Sequence, residues 1–183
     1  MYPNIIGLLG RSRSGKDTVA SMLQSMYPSQ GYSIVRLSTP IKEASRHLFA
    51  FNDDQIEGHL KEVIDPRWGI TPRQVFQTIT SDTMKYMGMH FFTRLLYEKY
   101  EQGQLGKYII IPDIRYEHDI EEIKKRGGIV FKIERSALPF RYECEDHLDA
   151  IHDLPTISNN TTVQDLKKNV EQLIHTYLKS VSP

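Results

Sequence analysis

The sequence predicts an α/β fold built on a mostly parallel sheet. Three observations carry that reading. Short, almost wholly apolar runs recur along the chain, longer stretches with helical apolar spacing separate them, and the first run passes through a glycine-bearing loop straight into a helix. Apolar runs of this length suit strands covered on both faces, and strands alternating with helices favour parallel pairing.

The runs occupy residues 5–9, 33–37, 108–111 and 129–133, with a shorter fifth candidate at 156–158. Helices are expected over 16–27, 41–51, 71–87, 91–102, 116–126 and 163–178. In the last of these Val163, Leu166, Val170, Leu173, Ile174 and Tyr177 share one face. Thr71 and Pro72 read as the cap and first turn of their helix, with Val75, Phe76 and Ile79 toward the core. The sole tryptophan, Trp68, reads as a ring stacked on a base or as a core side chain, with the core the favoured place.

At 183 residues the chain has single-domain length, so one domain spanning 1–183 is expected. Twenty-three basic residues balance twenty-three acidic ones, an unpromising charge for wrapping a nucleic-acid polymer. The single cysteine, Cys144, excludes an internal disulfide and a cysteine-built zinc site. The start lacks the basic region of a signal peptide, and no run approaches the ~18 apolar residues of a membrane helix. A cytoplasmic protein without membrane contact is expected. His147 and His152, with Asp146, Asp149 and Asp153, have no recognisable metal-ligand spacing.

Ligands of parallel sheets bind beyond the carboxyl ends of strands, so the segments after the runs carry the chemistry. After the first comes Gly10, Arg11, Ser12, Arg13, Ser14, Gly15, Lys16, Asp17, Thr18, a G-x4-G-K motif between strand and helix. Glycines let the backbone curl until its N–H groups point inward, the helix start adds positive potential, and the lysine reaches β- and γ-phosphates. The motif ordinarily continues with Ser or Thr; here Asp17 stands there, a hard oxygen ligand suited to Mg²⁺ or equally an acid favoured by the helix dipole. Thr18 is expected to hydrogen-bond a phosphate oxygen. Arg11 and Arg13 exceed the needs of one nucleotide and suggest a second anionic substrate or charge stabilisation during phosphoryl transfer.

After the second run, Ser38 and Lys42 read as acceptor-facing or as a helix cap and a solvated lysine. After the third, Asp113 occupies the usual place of a Mg²⁺ partner, or equally of a turn or N-cap residue, and Arg115 is placed to hold a phosphate. Past the fourth, Arg135 and Arg141 are placed to close over phosphates or to sit on the surface. In the middle segment Arg73, Gln77 and Thr80 recur on one helix face, a cation suited to phosphate and an amide suited to a base edge.

Taken together, GRSRSGKDT, LSTPIKEA, TPRQVFQ with TSDT, IIIPDIRYEHDIEEIKKRGG and an SNN turn before the last helix resemble the deoxynucleoside monophosphate kinases of phages and large DNA viruses, over nearly the whole chain. The resemblance implies a P-loop kinase three-layer sandwich, with a five-stranded sheet, helices on both faces and a small lid near 135–150. It implies γ-phosphoryl transfer from ATP, with Mg²⁺, to a deoxynucleoside 5′-monophosphate. By position, Gly10 to Thr18 and Arg135 would hold ATP, while Lys16, Arg13, Asp17 and Arg115 would act at the reacting phosphates. Ser38, Lys42, Arg73, Gln77, Arg115 and Arg141 would receive the monophosphate, Asp17 and Asp113 would hold the metal, and a homodimer is implied. A phosphomevalonate kinase of P-loop type shares SGKD, the LS-x-P-x-K-E pattern and the D-x-R segment, but has no use for a base-reading amide at Gln77. A nucleotide-binding regulator without transfer activity is the remaining alternative, and the surplus of arginines counts against it.

Overall fold

The computed structural model describes residues 2–136 and 143–181. The chain divides into two compact units, the first formed by Met1–Arg36 with Tyr97–Pro183 and the second by Leu37–Leu96.

The first unit holds one five-stranded sheet of β1 (Ile5–Leu9), β2 (Ser33–Ile34), β3 (Ile109–Ile114), β4 (Ile129–Glu134) and β5 (Thr156–Ser158), in the order β2-β3-β1-β4-β5. Every neighbouring pair is parallel. Side chains alternate across β1. Ile6 and Leu8 join Val19, Ala20 and Leu23 of helix α1 (Lys16–Met26) and Leu166, Val170 and Ile174 of α7 (Val163–Val181) in one core. Gly7 faces the other way, where a Cβ would stand 2.6 Å from Ile123 of α6 (Glu117–Lys125). The sheet is therefore covered on both faces, which is why its strands read as unbroken apolar runs.

Two strands depart from expectation. The second run pairs only over Ser33–Ile34 rather than to residue 37. The third continues through Pro112 and Asp113 to Ile114. Proline cannot donate to a ladder, and the β1–β3 register slips at this point: Gly7 pairs with Ile111, then Leu9 with Ile114. The extra residue is a bulge, a device that re-aims a side chain, and it brings Asp113 into the last turn of the strand instead of after it.

The second unit contains α2 (Thr39–Phe49), α3 (Asp53–Ile56), a 3₁₀ turn at His59–Glu62 and α4 (Pro72–Met87); α5 (Phe91–Glu101) runs on into the first unit. Its core gathers Ile41, Phe51, Ile56, Val75 and Phe76, with Ile79 packed against it; the spacing predicts Val75, Phe76 and Ile79. Thr71 caps α4 by accepting from the Gln74 N–H, and Gln74 reaches back to the Thr71 N–H. Trp68 is not in the core. It is 47% exposed, donates through Nε1 to the Phe49 carbonyl at 3.0 Å, and meets the Phe49 ring edge-on. An indole carries a donor that needs a partner, and here that partner lies at the rim.

Candidate active site

The loop after β1 lies in the middle of the sheet, with β3 on one side and β4 on the other. Its two glycines are sterically required. At Gly10 a Cβ would stand 2.6 Å from the Ile133 carbonyl oxygen and 2.8 Å from Ser14 Oγ. Gly15 has φ 102°, and a Cβ there would strike the side-chain amide of Asn159. That amide donates at 2.8 Å to the Ser14 carbonyl, while the Asn159 N–H donates at 2.8 Å to Glu134. The turn after β5 thus clamps the loop to the end of β4.

Within the loop, Ser14 N–H donates to the Arg11 carbonyl at 3.1 Å. The buried Ser14 hydroxyl has no hydrogen-bond partner among the described residues. Lys16 Nζ folds back to donate to the Gly10 and Arg11 carbonyls, each at 2.7 Å. Burial, then the Arg115 guanidinium, press the Lys16 ammonium down to about 8, against the opposing pull of Glu145, Asp17 and Asp113. Gly15 provides no side-chain cap to α1, so the helix start is left for an anion, as phosphate sites require.

A carboxylate is already bound within the loop that precedes the helix. The Ser12 N–H donates to both oxygens of Glu145, at 3.1 and 3.0 Å, and Arg115 Nη1 lies 3.7 Å from Glu145 Oε1. Glu145 is buried, in the 3₁₀ segment Glu143–Ala150, and Asp149 of the same segment pairs with Arg11 at 2.8 Å. The Ser12 N–H and the Arg11 and Arg115 cations at this end of the sheet therefore already hold two carboxylates.

The remaining expected residues fall in four groups. Asp17 lies in the first turn of α1, exposed, and accepts from Arg36 Nη2 at 2.7 Å; Asp113 is half-buried, close enough to affect Lys16. Arg13 is exposed with φ 62°, Thr18 is exposed on α1, and Arg135 is exposed just past β4. Arg141 lies outside the described residues, as does the whole stretch 137–142 of the expected lid.

In the second unit Ser38 occupies the N-cap position of α2, and Lys42 one turn on binds both oxygens of Glu57, at 2.6 and 2.7 Å. Arg73 pairs through Nε with Glu62, and Gln77, one turn further along α4, is exposed. Thr80 does not join them as a ligand, because its hydroxyl donates to the Phe76 carbonyl of its own helix at 2.7 Å.

Sequence reasoning missed Glu145, Asn159 and Arg36, which meet the predicted residues here. Asn159 follows the fifth strand directly, so the rule applied to the other strand ends would have found it. Glu145 has no local signal.

No family model matches the chain. A curated protein of Acanthamoeba polyphaga mimivirus, named "Putative deoxynucleotide monophosphate kinase", is 32% identical over 175 residues, across 86% of this chain and 89% of that protein. The chain belongs to the deoxynucleotide monophosphate kinase family. This kinase is a phosphotransferase of the nucleotide kinase type, and its all-parallel sheet and the loop after β1 are the architecture that such chemistry uses. Among solved structures it is similar to a gluconokinase from Sinorhizobium meliloti, at 10% identity over 98% of this chain and 96% of that chain, with TM-score 0.49. It is similar also to thymidylate kinase from Ehrlichia chaffeensis, at 15% identity over 100% of both chains, with TM-score 0.43. Likenesses this distant speak to neither substrate nor mechanism. No helix among the described residues is long and apolar enough to cross a membrane.

Proposed function

We propose that this kinase transfers the γ-phosphoryl group of ATP to a deoxynucleoside 5′-monophosphate. The observation that carries the reading is the loop of residues 10–18, whose backbone N–H already holds a carboxylate beside Lys16 and Arg115. The mimivirus relative, by its name, points to the acceptor.

On this reading Gly10, Arg11, Ser12, Ser14, Gly15, Lys16 and Thr18 bind the triphosphate, with Arg135 nearby. Lys16 exchanges its two carbonyl contacts for the β- and γ-oxygens, a swap that raises the ammonium's pKa back toward its ordinary range. Arg13 and Arg115 neutralise charge as it shifts between phosphates. The nucleophile is a phosphate oxygen of the acceptor, already anionic, so no general base is needed and positioning supplies the rate. The acceptor is held by Ser38, Lys42, Arg73, Gln77 and Arg115, with Arg141 a further ligand. Arg73 suits its phosphate and the exposed amide of Gln77 its base.

Magnesium fits the donor set. Asp17 and Asp113 are hard oxygen ligands placed around Lys16, and Mg²⁺ is commonly held by one or two carboxylates plus phosphate oxygens. When bound, the ion supplies charge neutralisation across the β- and γ-phosphates. Asp17→Asn is expected to raise the Mg²⁺ concentration needed for half-maximal rate by about ten-fold, one carboxylate's worth of charge. An unchanged metal profile would make Asp17 a partner of Arg36 and nothing more.

The family resemblance further implies a homodimer in the cytoplasm, the host's if the source is viral, acting on small molecules and not on nucleic-acid polymers. ADP release with ATP plus each deoxynucleoside monophosphate, and separately plus phosphomevalonate, tests the reading. Turnover of one or more deoxynucleotides is expected; turnover of phosphomevalonate alone, or of no acceptor, defeats it.

A further inference from the structure

Three cations gather in the second unit from three different elements: Lys42 of α2, Lys61 of the His59–Glu62 turn and Arg73 of α4. Two of them are held by carboxylates, Lys42 by Glu57 and Arg73 by Glu62. Lys61 has none, and it forms no ion pair among the described residues. It is half-buried, with Nζ over the face of the Phe76 ring, 5.5 Å from its centroid. A desolvated ammonium beside two like charges is costly unless an anion joins it.

We infer that Lys61 is a further acceptor-binding residue, the cation on which the phosphate of the acceptor settles between Lys42 and Arg73. This rests on the kinase reading above and deepens it by assigning the phosphate monoester dianion to a specific cluster. Glu57 and Glu62 pair with Lys42 and Arg73 until a dianion replaces them, whereas Lys61 forms no ion pair of its own among the described residues.

Burial, followed by repulsion from Lys42 and Arg73, lowers the Lys61 ammonium to about 8, with Glu57 and Glu62 opposing. The other charged groups around the turn are His59 and Asp54 of α3, which face each other at 3.5 Å. The sign follows directly. Below about 8 the free protein carries the Lys61 charge and binds a dianion; above it the charge is lost and binding weakens.

The experiment compares wild type with Lys61→Met and Lys61→Arg. Lys61→Met should raise the deoxynucleotide KM by about ten-fold or more, the worth of one charge-assisted contact, with the ATP KM changed less than about two-fold. The wild-type acceptor KM should rise through pH 8, and both variants should flatten that dependence, Lys61→Arg with a near-native KM. Losing the charge relieves repulsion, so Lys61→Met should fold, and thermal unfolding checks it. Separately, ¹³C-methylated lysines are titrated with inorganic phosphate, the Lys61 resonance being the one missing in Lys61→Met; it should move. An unchanged acceptor KM and pH profile in Lys61→Met, or a Lys61 resonance indifferent to phosphate, overturns the inference. A wild-type enzyme that phosphorylates no deoxynucleotide while Lys61 still answers phosphate defeats the nucleotide reading and supports the anion site; turnover with a silent Lys61 does the reverse.

Discussion

Replacing Gly15 by alanine probes how the phosphate loop is held. Gly15 sits at φ 102°, where an L side chain costs roughly 1–2 kcal/mol. The new Cβ also collides with the Asn159 amide, which must swing away and give up its 2.8 Å bond to the Ser14 carbonyl. That bond contributes about 1 kcal/mol, so Gly15→Ala is expected to cost about 2–3 kcal/mol in all. Asn159→Ala loses the bond alone, about 1 kcal/mol. The double variant can lose it only once, so its cost should stay at about 2–3 kcal/mol and not reach the additive sum of about 3–4. Urea unfolding followed by far-UV circular dichroism gives the cycle. Fluorescence would not, because the single tryptophan, Trp68, belongs to the other unit. Costs that add to within about 0.3 kcal/mol, or a Gly15→Ala protein of native stability, would refute the clamp.

Two further outcomes follow from the same loop. The Lys16 ammonium, lowered to about 8, loses its charge in the free enzyme as pH rises through that value, so kcat/KM for ATP should fall above it while kcat, measured with phosphates bound, falls later. Stability moves the other way. Between about 8 and 10.5 the unfolded chain binds more protons at this site than the folded one, so Lys16 contributes increasing stability with pH across that window. A kcat/KM flat to about one unit above the midpoint would remove Lys16 from phosphate binding. Glu145→Gln removes the charge that competes for the Ser12 N–H and Arg115, so an unhydrolysable ATP analogue should bind about ten-fold more tightly by calorimetry. Weaker binding would mean that Glu145 supports the site and does not compete for it.

Much of this was legible from spacing. The strand, the glycine loop and the start of α1 are contiguous, and each is set by local sterics: an apolar run to be buried, backbone angles only glycine adopts, a helix with a free first turn. The cap of α4 and the apolar face of α7 are local in the same sense. The misreadings come from interactions beyond any short window. The second run pairs as a strand only as far as Ile34, although β3 runs on to Ile114, and the β1–β3 bulge carries Asp113 inside its strand. Trp68 takes the rim because its indole donor found the Phe49 carbonyl, nineteen residues away.

By itself, then, the sequence determined that this chain would build a covered parallel sheet with an anion-binding loop at its centre, since those features depend on neighbours a few residues apart. Only the tertiary structure decided which carboxylates meet which cations. Ser12 and Glu145 are 133 residues apart and Arg11 and Asp149 are 138 apart, so chain folding alone brings them together. Charge pairing depends on distance in space, and spacing along the chain encodes that distance only within a helix turn or a strand.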